Sequence, residues 1–258
     1  MNPRNTWIIC QKELKGYFAS PIAYGLMAFF ALICGYFFYA AVGWFVFQST
    51  QQMMMRGGAM PMDVADYVVR PVMGNVSVIG LFLIPMITMR LFAEEKRAGT
   101  MELLATSPVR DTEIVVGKWL AAVILYLAML GIAALNLAIL FLYSKPEVMP
   151  ILISFLGLAL QGAGLLALGA FISNLTRNQI IAGAGTFAIC LLLWVIGWTS
   201  EYEQTTFSKV LAYISVTTHF ENFAKGVLDT KDVIFYLSVI FFGLFLTVRS
   251  MESLRWRA

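Results

Sequence analysis

The densest run of ionisable residues in the chain is Arg90, Glu94, Glu95, Lys96 and Arg97, followed by Gly99, Thr100 and Glu102. Charges of both signs at this density suit a solvated, well-capped turn; they do not by themselves make a nucleophile or a metal site. Gly99 should end a helix, and Thr100 should cap a short new one carrying Glu102, Leu103 and Leu104 until Ser107 and Pro108 stop it. Asp111 or Thr112 can cap the helix that follows. A short helix tethered at both ends transmits force, because a partner gripping it moves both flanking segments.

Other chemistry is sparse. His219 is the only histidine, and Thr218, His219, Phe220 and Glu221 read as a capping box ahead of Phe223. A ligand or gate role for His219 competes with that of a polar interfacial side chain, which the pattern favours. Met53, Met54, Met55, Met60 and Met62 offer soft thioethers of the kind Cu(I) takes. They serve equally as flexible apolar contact, and no metal is assigned to them. Cys10, Cys34 and Cys190 are too scattered for a CxxC site. No buried nucleophile and base are paired, and no GxxxxGK[ST] phosphate loop occurs, so this chain carries no catalytic residue and no ATP cradle of its own.

The elements that hold these residues follow from composition. Of 258 residues, 60% are apolar and 13% charged, and the mean hydropathy is +0.78. Soluble domains carry about 25% charged residues, so this chain cannot coat a water-soluble globule. Its apolar runs are long and unalternating, which predicts an all-α polytopic membrane protein rather than a barrel. Six spans are expected, over 22–47, 72–91, 114–142, 150–172, 180–199 and 233–248. With the termini cytoplasmic, twelve of the 18 Lys and Arg fall inside and six outside. The net charge of +3 is too weak to imply nucleic acid.

Residues 1–21 read as an amphipathic helix on the inner leaflet, with Trp7, Ile8, Leu14, Tyr17 and Phe18 near helical spacing and Pro21 ending it. A simple extension of the first span is the alternative. Residues 92–113 form the inner loop just described, and 200–231 an outer segment with two short interfacial helices before the last span. Small residues recur at Ala159, Ala163 and Ala167, with Gly162, Gly164 and Gly169 among them. They serve close packing within the chain or, less favoured, a subunit interface.

The inner loop also carries a resemblance. Phe92, Glu94, Glu95, Lys96 and Arg97, then Gly99, Thr100, Glu102, Leu104, Pro108 and Val109, with Gly117 and Lys118 opening a span, are similar to the permease subunits of ABC-2 type exporters. Lys12, Glu13 and Leu14 with Tyr17 to Tyr24, and His219 to Phe223 with Gly226 and Asp232, resemble the gliding-motility-associated branch, which is close to the copper-enzyme-maturation permeases. The resemblance covers nearly the whole chain.

It implies one ABC-2 transmembrane domain over 1–258, in the bacterial inner membrane with both termini cytoplasmic. Such a domain pairs with a second permease copy or a related permease. Cytoplasmic ABC ATPase subunits carry the ATP and Mg2+, and a further partner is an auxiliary membrane protein with a large extracytoplasmic domain. Glu94, Glu95, Gly99, Thr100, Glu102, Leu103, Leu104 and Pro108 fall where the family docks its ATPase, and 200–231 resembles the family's re-entrant pair. No ionisable residue lies near the middle of any span, which disfavours an ion-coupled secondary transporter and a hydrated channel. A greasy pathway for an amphipathic substrate fits better, with Phe29, Phe30, Asn136 and Gln161 as candidate linings. A mechanotransmitter, passing ATPase motion to an outer partner, is the rival.

Overall fold

A computed structural model describes residues 2–56, 63–100, 109–144, 146–202 and 213–255. All regular structure among them is helical. The helices are α1 (Pro3–Ala19), α2 (Pro21–Arg56), α3 (Arg70–Thr88), α4 (Ala93–Ala98), α5 (Asp111–Tyr143), α6 (Val148–Leu175), α7 (Gln179–Tyr202), α8 (Val216–Ala224) and α9 (Thr230–Arg255), with a π-helical turn at Ala65–Val69 ahead of α3. Among the described residues six helices are long and apolar enough to cross a membrane, and they sit where the hydropathy pattern places them.

Side-chain size sets the arrangement of these spans. The apolar windows of the second and fourth are 72% and 61% buried, while those of the first, fifth and sixth are only 17–22% buried. The second and fourth are therefore the core, and the others leave most of their surface outside the chain's own packing. The small residues of α6 make this possible. A Cβ on Gly162 would lie 2.1 Å from the Tyr126 ring, and one on Gly157 would lie 2.5 Å from Phe223. Ala167 is fully buried and Ala163 nearly so. The small-residue stripe is thus spent on packing inside the chain.

The second span is not continuous. Pro85 removes one backbone donor from α3, which ends at Thr88, and the chain restarts as α4. The first amides of α4 have no cap of their own: the Ser173 hydroxyl on α6 accepts from the amides of Phe92 and Ala93 at 3.1 and 3.2 Å. Gly99, at φ +72°, closes α4 in the left-handed conformation that glycine tolerates.

Two starting caps differ from the sequence expectation. Helix α5 begins with Arg110 as N-cap rather than Asp111 or Thr112, because the Glu113 carboxylate turns back to accept from the Arg110 amide. Helix α8 begins at Ser215, not Thr218: Val216 and Phe220, one turn apart, are both buried and draw the helix a turn earlier, and the Ser215 hydroxyl accepts from the Thr218 amide.

Candidate coupling site

One end of the bundle carries α1, α4 and the first turns of α5. Gly117 permits their approach, since a Cβ there would lie 2.9 Å from Ile9 and from the Thr6 carbonyl. With α1 pressed so close, its polar residues meet the start of the third span. Glu113 accepts from the Asn5 side chain at 3.1 Å. One turn on, Lys118 is 1% exposed and places its ammonium 3.0 Å from Glu13 on α1 and 3.0 Å from Glu95 on α4. Lys12 approaches Glu95 at 3.7 Å, and Arg90 approaches Glu94 at the same distance.

Burying an ammonium is costly unless it is paired, so the two carboxylates are what allow Lys118 to sit there. The pairing ties three segments distant in sequence into one unit. On its other side α4 is held to α6, where the Lys96 ammonium donates to the Asn174 carbonyl near the helix C-terminus. Beside the junction lies a cavity of about 480 Å³ bounded by α1, the start of α2, the end of α3 and α4. Burial, reinforced by the Glu13 charge, raises the pKa of the Tyr17 phenol at its edge above the ordinary value, so it stays a neutral hydroxyl.

The residues expected for docking a partner divide here. Glu94 is exposed and Glu95 is turned inward onto Lys118. Gly99 and Thr100 follow at the surface. Glu102, Leu103, Leu104 and Pro108 lie outside the described residues, as do Met60 and Met62. Met53 and Met54 are exposed at the far end of α2, in the same helix as Met55, and no group of three or more His, Cys, Asp or Glu among the described residues is arranged for a metal.

The proposed pathway residues differ in burial. Phe30 is buried in the core while Phe29 is half exposed. Gln161 is buried and accepts from the Ser77 hydroxyl at 2.9 Å, bridging α6 and α3. Asn136 is part-buried, and its amide nitrogen has no partner among the described residues.

The opposite end holds a second polar cluster. His219 Nδ1 lies 2.6 Å from Asp232, which is fully buried, and His219 Nε2 lies 2.9 Å from the Tyr213 carbonyl. A carbonyl only accepts, so Nε2 carries its hydrogen, and one further proton is shared between Nδ1 and the carboxylate. Asn222 donates to the other Asp232 oxygen at 2.7 Å. Phe235 stacks on the imidazole at 3.9 Å, and the Tyr236 hydroxyl donates to the Val216 carbonyl at 2.7 Å. With both ring nitrogens engaged, His219 is a clamp holding α8 to the last span. Phe220 and Phe223 bury beneath it, while Glu221 points outward.

Residues 7–248 match the model of the ABC-2 family transporter protein family. The chain belongs to the ABC-2 transporter family. As an ABC-2 family member with six candidate spans, it is an integral membrane protein and a transmembrane component of a transporter. No curated protein matches it. Within this ABC-2 protein, the Lys118 junction is not legible in the sequence, because its members lie far apart along the chain. Its members were visible only as separate motif fragments, at Lys12 and Glu13, at Glu94 and Glu95, and at Gly117 and Lys118.

Proposed function

We propose that the chain is the permease subunit of an ATP-driven exporter or extractor of an amphipathic substrate, with hydrolysis by separate cytoplasmic ATPase subunits docked on the loop 92–113. The face carrying α1 and α4 is then cytoplasmic, the membrane is the bacterial inner membrane, and a second permease copy completes the pathway. The observation that carries this reading is the Lys118 junction. A push delivered to the segment after α4 reaches α1 through Glu13 and the third span through Lys118, so three elements shift together. In this scheme Glu95 is an internal link, and the exposed Glu94 with Glu102 forms the docking contact.

The test is reconstitution with the partner ATPase in proteoliposomes. The permease alone should bind and hydrolyse no ATP. Glu102→Lys should leave membrane insertion unchanged and weaken ATPase association about tenfold or more, because a like-charge contact costs more than a lost surface pair gains. Wild-type association and transport by Glu102→Lys would remove that residue from the contact.

Sidedness has its own check. Single cysteines at Gly57 and Gln204 should label from outside intact cells, and those at Gly99 and Arg255 only after the membrane is opened. Labelling of position 99 from outside would reverse the orientation.

A mechanotransmitter role has one observation in its favour. Helix α2 has 36 residues, which span about 54 Å against about 30 Å of hydrocarbon. Beginning at the inner boundary, it projects well past the outer one and offers a stalk to an outer partner. ATPase stimulation by that partner, with no response to amphipathic compounds, would select this reading over export.

A further inference from the structure

Helix α2 carries two stripes, and the chain's own core takes up one of them, with Leu26, Phe30 and Cys34 buried. On another face Ile22, Phe29, Tyr36, Gly43 and Thr50 recur every seven residues, with Gly25, Leu32, Tyr39, Val46 and Met53 three positions after them. Every one of these positions is exposed, and Leu32, Tyr36 and Tyr39 are 68–78% exposed. A repeat that alternates steps of three and four keeps one seam turned toward a partner helix as the two wind left-handed about each other.

Lipid covers only part of this seam. At about 1.5 Å per residue, Val46 and Met53 stand about 36 and 46 Å along α2 from Ile22, whereas a helix tilted by about 20° crosses the hydrocarbon in about 32 Å. Acyl chains do not reach that far. Glycine marks the same face. It weakens a helix interior, and in α6 the cost is matched by close packing, since a Cβ on Gly157, Gly162 or Gly169 would strike a neighbour. A Cβ on Gly25 or Gly43 would meet no atom within 4 Å. The close approach that these two glycines permit is to something outside the chain.

The seam is suited to its own copy. Two copies inserted with the same sidedness can pair α2 only in parallel, and each seam residue then meets its counterpart, so that Gly25 faces Gly25 and Gly43 faces Gly43. No charged residue lies between Pro21 and Met55 to oppose that match. The large seam side chains expose on the order of 100 Å² each, so pairing removes roughly 600–900 Å² from each copy, against about 800 Å² per partner in stable interfaces.

We propose that two copies of this chain pair through α2, along the seam from Ile22 to Met53. The proposal deepens the two-copy permease described above and rests on it, but not on ATPase docking.

Cross-linking in native membranes tests it, in a background with Cys10, Cys34 and Cys190 replaced by alanine. Tyr39→Cys and Val46→Cys should form disulfide-linked dimers at least fivefold more than Tyr24→Cys and Trp44→Cys, whose side chains are exposed on the same helix but off the seam. Native mass spectrometry of the purified full chain gives a second readout that needs no cysteine replacement, and it decides alone should that background fail to fold. Val46→Arg should lower the dimer fraction at least fivefold, because like charges then face each other across the seam, and Trp44→Arg should not. Coexpressing Val46→Arg with Val46→Glu should restore the dimer. Equal cross-linking on and off the seam, or a Val46→Arg dimer as abundant as the wild type, would overturn the proposal. Where the wild-type chain is nonetheless dimeric, the two-copy reading stands and the seam alone falls; a monomeric wild-type chain overturns both.

Discussion

Lys118→Met should lower stability by about 2–4 kcal/mol and, in the ATPase complex proposed above, separate hydrolysis from transport. Methionine keeps much of the side-chain volume but takes away the ammonium 3.0 Å from both the Glu13 and Glu95 carboxylates, leaving the exposed Lys12, 3.7 Å from Glu95, as the cation that remains. Removing one member of a buried pair costs about 3–5 kcal/mol. The lower range applies here because the two carboxylates keep 17% and 16% exposure. Thermal unfolding of the purified chain in detergent reads the first effect. Adding Glu13→Gln and Glu95→Gln to Lys118→Met should recover most of the lost stability, since no charge then remains buried and unpaired. Coupling should not return, because the ionic link between α1, α4 and the third span is still missing. A Lys118→Met protein with an unchanged unfolding midpoint would show that the junction holds nothing together.

At the opposite end, Asp232→Ala should release α8 from the last span. Both Asp232 oxygens are engaged, so the truncation strands Nδ1 of His219 and the amide donor of Asn222 in the cluster. Each stranded group costs about 1–3 kcal/mol, a combined loss of roughly 2–6 kcal/mol. Hydrogen exchange along Val216–Ala224 is the direct measurement, with protection expected to fall by more than tenfold. Asp232→Asn should be much milder. Its carbonyl still accepts from Asn222 and its amide can donate to Nδ1 of a neutral His219, which keeps Nε2–H for the Tyr213 carbonyl. Equal loss of protection in the two variants would mean that the carboxylate charge, not the hydrogen-bond pattern, holds the clamp.

What could be read from the chain alone was whatever depends on neighbours in sequence. Six apolar runs of spanning length declare six membrane helices, because every backbone group in lipid must be satisfied within its own helix. Gly99 declares the end of α4 through its backbone freedom, and the family is legible because its loop motif is contiguous. Caps were less legible: Ser215, Thr217 and Thr218 are all competent, and which one serves depends on where Val216 and Phe220 bury.

The tertiary structure decided everything that depends on partners far along the chain. Hydropathy marks Lys118 as one more cytoplasmic charge, yet it is buried, because Gly117 lets α1 close over the third span and bring Glu13 within reach. His219 reads as an interfacial polar residue until Asp232, thirteen positions on, is folded against it. The break between α3 and α4 frees the amides of Phe92 and Ala93, and the hydroxyl that meets them, Ser173, comes from α6, some eighty positions on. The physical reason is the same in each case. Helix formation in lipid is local and written in hydropathy, whereas the pairing of a buried charge needs a specific partner at about 3 Å, and only the packing of one helix on another sets that distance.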